Sequence, residues 1–172
     1  MRLFTAICFD DETKNDLFAT ENFAKNFSEG SFSEKENLHL TLVFIGETER
    51  EKEIKSALSE VEFPAFELKI KGLGTFEKKI FWAGTEENKN LKNLQKTVFE
   101  KLKNLGFETE ERDFVPHITL ARKFKPEENC PFDETEKLLP KKAVFANRIS
   151  LMKSERVDGV LRYTEIYSKK LL

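Results

Sequence analysis

Two short stretches of this chain are copies of one another. HLTL occupies residues 39–42, and HITL occupies residues 117–120, 78 residues further on. Each lies in an apolar run, LHLTLVFI or FVPHITLARKF, that reads as a strand. Side chains alternate across a strand. His39 and Thr41 therefore share one face while Leu40 and Leu42 take the other, and His117 and Thr119 repeat the pattern against Ile118 and Leu120. Any fold for this chain must bury one side of both strands and leave an imidazole and a hydroxyl on the other side of each. The chain has two histidines in all, and both stand in these copies.

The rest of the sequence supplies the frame. RLFTAICF (2–9) reads as a strand, and Asp11 and Glu12 open a helix that runs to about Phe27. Gly30 closes it, and a polar loop, SFSEKEN, leads to the first copy at 38–45. Thr48 and Glu51 have the spacing of a capping box. The helix behind them carries Ile54, Ala57, Leu58 and Val61 along one face and stops at Pro64. FELKIK alternates as a strand with one solvated face, and KIFWAGT reads as its returning partner. A third helix covers 88–105, with Gly106 in the C′ position. The charged loop FETEERD follows, then the second copy on a strand at 115–124. A short helix near 133–139 and strands at 143–152 and 162–170 close the chain. The expected class is α+β: two similar lobes of antiparallel-rich sheet face a central cleft, with helices outside, and residues 1–172 form a single domain. The copies line the groove between the lobes.

Composition narrows the function classes. A net charge of −2 and a pI near 5.9 are not those of a protein that coats nucleic acid, so a nucleic-acid partner must be held locally. No apolar run approaches the roughly 20 residues needed to span a bilayer. Cys8 and Cys130 are too few for a disulfide framework. A cytoplasmic monomer with reduced thiols and no membrane partner is expected.

Two histidines and no second cluster of ligand-type residues make a poor metal site, since zinc wants three or four protein ligands. There is no GxSxG, and neither cysteine lies in sequence beside a histidine-bearing strand of the pair. Two imidazoles are suited to paired acid–base work near neutral pH, one taking a proton and the other giving one. Hydroxyls two residues along can hold the oxygens of a phosphoryl group. A phosphodiester is the natural substrate, and no cofactor or metal ion is required.

These stretches, NLHLTLVFIGE, FPAFELKIKGLGTF, KIFWAGT and FVPHITLAR, with MRLFTAI at the start, resemble the two-histidine phosphoesterase superfamily. The nearest branch is the RNA 2′,3′-cyclic phosphodiesterases, historically called 2′-5′ RNA ligases. The resemblance implies a bilobal duplicated fold and metal-independent hydrolysis of RNA 2′,3′-cyclic phosphate ends to 2′-phosphates. It allows reversible 2′-5′ ligation, and tRNA-like fragments as substrates. It implies His39 as proton donor to the leaving 3′ oxygen, His117 as proton acceptor from water, and Thr41 and Thr119 as phosphate ligands. The two copies are nearly interchangeable, so the residues themselves do not divide the two roles.

The resemblance also matches Arg122 to a phosphate-contacting arginine. Strict alternation disagrees, because it puts Ala121 and Lys123 on the face of His117. Either a bulge re-aims Arg122 or Lys123 is the cation at the cleft; Arg122 is taken here as the substrate ligand. Phe4 and Tyr163 could stack on a terminal nucleotide, Trp82 reads first as core, and Ser154 and Arg156 stand near a strand end. Two other readings stay open: a phosphodiesterase of small cyclic phosphates such as ADP-ribose or nucleoside cyclic phosphates, and a nucleotide- or RNA-end-binding module without turnover.

Overall fold

The computed structural model describes residues 1–77, 79–109 and 113–172. Residues 110–112 of the FETEERD loop and residue 78 of the expected β-hairpin lie outside the described residues.

The first sheet contains β1 (Arg2–Cys8), β3 (His39–Glu47), β9 (Arg148–Val157) and β10 (Val160–Lys170), in the order β10-β9-β1-β3. The second contains β2 (Ser28–Phe32), β5 (Ile70–Phe76), β6 (Ile80–Thr85) and β7 (Ile118–Pro126), in the order β2-β7-β6-β5. All pairs in both are antiparallel. β4 (Phe66–Leu68) and β8 (Val144–Ala146) form a small separate ladder. The helices are α1 (Asp11–Lys25), α2 (Glu51–Ser59), α3 (Lys89–Asn104) and α4 (Phe132–Glu136). The class is α+β, as expected.

Local chemistry accounts for most boundaries. Asp10 caps α1 by accepting from the Thr13 N–H at 2.8 Å, and Asn88 caps α3 by accepting from the Leu91 N–H at 3.0 Å. Gly106 ends α3 with φ of +90°, a conformation glycine adopts without cost. Leu17 and Ala24 of α1, Ile54 and Leu58 of α2, and Leu91, Leu94, Val98 and Leu102 of α3 are buried in one core with Leu40, Leu42, Ile118 and Leu120. That core covers the outer faces of both motif strands. The opposite face of the first sheet carries a smaller cluster of Phe4, Ala6 and Met152, with Cys8 and Tyr163 packed on it.

Three expectations are corrected. The polar stretch after α1 is in part a strand, β2, paired with β7. Its SEGSF sequence has no apolar alternation, and the backbone ladder at a sheet edge holds it instead. Gly30 passes close to the β7 backbone, where an added Cβ would lie 3.1 Å from Arg122 O. FELKIK is not one strand: β4 leaves to pair with β8, and β5 begins only at Ile70. The capping box does not form. The Thr48 hydroxyl accepts from the Arg50 N–H at 3.0 Å, and Arg50 takes the cap position with no side-chain cap bond.

Candidate active site

β3 lies against β7, which brings the two sheets together along the motif strands. His39 opens β3, and His117 immediately precedes β7. The two rings are close enough that charge on His117 disfavours charge on His39.

Each histidine is oriented by the backbone carbonyl two residues earlier. His39 Nδ1 meets Asn37 O at 2.6 Å, and His117 Nδ1 meets Val115 O at 2.9 Å. A carbonyl only accepts, so both rings carry their proton on Nδ1 when neutral and present Nε2 as an acceptor. At His39, Nε2 lies 2.8 Å from Thr41 Oγ1, whose hydroxyl is the donor to the neutral ring. Aromatic rings fix the planes further. His39 packs on Phe4 at 4.8 Å and meets Tyr163 edge-on at 5.1 Å, while Phe76 meets His117 edge-on at 4.9 Å.

Both strands carry a bulge just after the motif. β1 advances from Ala6 to Thr5 while β3 jumps from Thr41 to Val43. β6 advances from Trp82 to Phe81 while β7 jumps from Thr119 to Ala121. The extra residue buries two consecutive side chains, Leu42 with Val43 and Leu120 with Ala121. Hydroxyl residues tie both bulges. Thr5 Oγ1 accepts from the Val43 N–H at 3.1 Å and donates to Val43 O at 3.3 Å. Ser33 donates its N–H to Leu120 O at 2.9 Å and its hydroxyl to Thr119 O at 2.8 Å.

The bulge in β7 sets which side of the strand Arg122 takes. Past it the alternation is reset, and Arg122 returns to the side of His117 and Thr119. Its guanidinium disfavours charge on both histidines. Lys123 has φ of +52°, at the point where the β2–β7 register slips, and is exposed. The structure thus brings His39, Thr41, His117, Thr119 and Arg122 to one region.

Burial pushes the His39 imidazole down from 6.5 to about 4, opposed by its bond to Asn37 O and assisted by His117, Arg122 and Lys14. His117 is lowered as well, first by burial and then by Arg122. Both imidazoles are therefore neutral acceptors in the resting protein at neutral pH.

Other side chains named from the sequence fall differently. Phe4 is 4% exposed and packed on His39, so no face of it is open for a base. Arg156 closes the β9–β10 turn by donating to Gly159 O at 3.1 Å. Ser154 pairs with Tyr163 across that ladder. Trp82 pairs with Thr119 and hence shares its face, and its ring lies 5.1 Å from Phe76. Asn37, Phe44 and Phe76 were not singled out from sequence. The alignment of the two copies, which sets Phe44 against Arg122 and Asn37 against Val115, is the signal that bears on the first two. Among the described residues, no three His, Cys, Asp or Glu side chains gather as a metal site requires, and no helix is long and apolar enough to cross a membrane.

Residues 18–158 match the model of the 2′-5′ RNA ligase superfamily. An RNA 2′,3′-cyclic phosphodiesterase of Archaeoglobus fulgidus is 38% identical over 128 residues, covering 71% of this chain and 72% of that protein. One of Thermotoga maritima is 37% identical over 151 residues, covering 81% and 76%. The crystal structure of E. coli LigT in its apo form is similar, with a TM-score of 0.83 at 25% identity, over 99% of this chain and 96% of that one.

Proposed function

The chain belongs to the 2′-5′ RNA ligase superfamily, and from that premise we propose that it is an RNA 2′,3′-cyclic phosphodiesterase working by a His39/His117 acid–base pair. The observation that carries the reading is the matched fixing of the two imidazoles, each with its Nδ1 on the carbonyl two residues before it. The substrate is RNA ending in a 2′,3′-cyclic phosphate, and residues 1–172 act as one catalytic unit of two pseudo-repeated halves.

The anionic phosphodiester binds between the copies, with the hydroxyls of Thr41 and Thr119 and the guanidinium of Arg122 donating to its non-bridging oxygens. Its charge opposes the burial and the neighbouring cations that keep the rings neutral, and His39 takes up a proton on Nε2. His117 Nε2 accepts a proton from water as the water oxygen attacks phosphorus. The P–O3′ bond breaks, and His39 gives its proton to O3′. The products are a 2′-phosphate and a free 3′-hydroxyl, and the proton taken by His117 restores the starting state through solvent. All the charge neutralisation in this scheme comes from side chains, so no metal ion takes part.

The test is hydrolysis of a short RNA with a 2′,3′-cyclic phosphate end in excess EDTA. The wild type is expected to release a 2′-phosphate end, and His39→Ala and His117→Ala each to lose nearly all turnover. An inert wild type, or a single variant that keeps full activity, overturns the scheme.

A further inference from the structure

β10 and β3 are the two opposite edges of the first sheet and do not pair with each other, yet one side chain joins them. Asn37, the last residue of the short 3₁₀ turn Lys35–Asn37 that leads to β3, donates from Nδ2 to Leu161 O at 2.8 Å. Its Oδ1 accepts from the Tyr163 N–H at 3.1 Å. One carboxamide thus makes on β10 the pair of bonds that the peptides of a neighbouring strand would make. The same residue's backbone carbonyl is the group that meets His39 Nδ1 at 2.6 Å.

We propose that Asn37 is the positioning residue for the first histidine, clasping the β9–β10 hairpin across the sheet with its side chain while its carbonyl fixes the imidazole. The proposal rests on the reading of His39 as one half of the acid–base pair. Three rings close around the clasp: Phe4 lies 4.8 Å from His39, Tyr163 lies 5.1 Å from it, and the two are 5.0 Å apart. The clasp requires a donor and an acceptor on one short planar group. Aspartate lacks the donor, and an apolar residue lacks both. The second copy has no such device, because the residue two before His117 is Val115, 50% exposed and without a polar side chain. The carbonyl under His39 is therefore anchored on a second strand, and among the described residues no side chain does the same for the one under His117. The charged or titratable groups around His39 are Cys8, its cross-strand partner on β1, Lys14 from α1, His117 and Arg122 from the second sheet, and Tyr163 from β10.

The experiment is NMR of the imidazole nitrogens, read beside steady-state kinetics. With two histidines in the chain, the spectrum holds two rings, and His117→Ala assigns them. In the wild type His39 is expected as the Nδ1–H tautomer, titrating far below 6.5. In Asn37→Ala the Nε2–H tautomer gains population and the titration falls further, because the loosened carbonyl bond is the contact that favours the charged ring. The value of kcat falls at least tenfold with KM nearly unchanged, and His117 keeps its tautomer. A folded Asn37→Ala in which His39 keeps both tautomer and titration overturns the proposal. Should that variant fail to fold, Asn37→Ser, whose hydroxyl is too short to reach both β10 groups, is read for the same two outcomes. The NMR result does not depend on turnover, so failure of this proposal is distinguishable from failure of the proposed activity.

Discussion

Phe44 and Arg122 stand at the same address in the two copies. Each is the fifth residue after its histidine, and each follows a bulge that buries two residues in a row. One address carries a guanidinium, and the other carries an aromatic ring that is 50% exposed with the Arg2 guanidinium 5.0 Å from its centre. The duplicated strands thus carry two different chemistries at one address.

Arg122→Met is expected to lower kcat/KM by about 100-fold, the loss typical of one donor removed from developing charge. Lys123→Ala, on the neighbouring exposed residue, is expected to change it by less than about threefold. Comparable losses from both substitutions would mean that the reset after Ala121 does not select the cation.

Phe44→Ala is expected to raise KM for an RNA substrate by roughly tenfold while sparing kcat, as the loss of one base–aromatic stack would. Phe44→Trp retains the wild-type KM. A KM for Phe44→Ala equal to that of the wild type would leave the exposed ring without a role in binding.

The pH dependence follows from the two depressed imidazoles. The kcat/KM profile reports the free enzyme, so its limbs belong to His39 at about 4 and to His117 below 6.5. Activity on that measure is expected to peak on the acid side of 6.5. The kcat profile reports the complex, where the bound anion raises both rings, and it peaks at higher pH. Coincident profiles would show that substrate charge does not control the histidines.

Glu21 offers a stability test away from the site. It is fully buried on α1, neither carboxyl oxygen has a hydrogen-bond partner among the described residues, and burial raises it from 4.5 to about 8, with Lys25 opposing and Glu34 assisting. A carboxyl raised by folding binds more protons in the native state. Stability is therefore lost as pH rises through the interval from 4.5 to about 8. Glu21→Gln is expected to stabilise by on the order of 3 kcal/mol at pH 8 and by less than about 1 kcal/mol at pH 5. Denaturant unfolding at the two values checks it, and an equal gain at both would remove the buried-acid account.

Gly74→Ala is expected to destabilise by about 1–3 kcal/mol. The added Cβ would overlap Cζ2 of Trp82, so the indole must move. Because Trp82 pairs with Thr119, turnover falls with stability. Unfolding followed by circular dichroism gives the first number, and kcat/KM the second.

The periodic parts of this fold were legible because burial writes them into the sequence. Leu91, Leu94, Val98 and Leu102 trace α3, and the two copies mark β3 and the start of β7. β2 left no such mark, since its exposed side chains are not selected for alternation and its ladder is made by backbone alone. In the site, His39, Thr41, His117 and Thr119 could be paired from strand geometry. Arg122 could not be oriented, because a bulge is a property of two strands: the Ser33 hydroxyl that ties it to Thr119 O comes from 86 residues away in sequence. Asn37 was invisible for a similar reason, as its partners lie 124 and 126 residues away on β10.

The position of Trp82 has a practical consequence. It is the one tryptophan in the chain, it shares a face with Thr119, and it packs on the Phe76 ring that meets His117. The protein therefore carries its own optical reporter of the cleft. Ultraviolet emission from an unlabelled sample can follow ligand arrival at the second motif in real time, including in variants that no longer turn over.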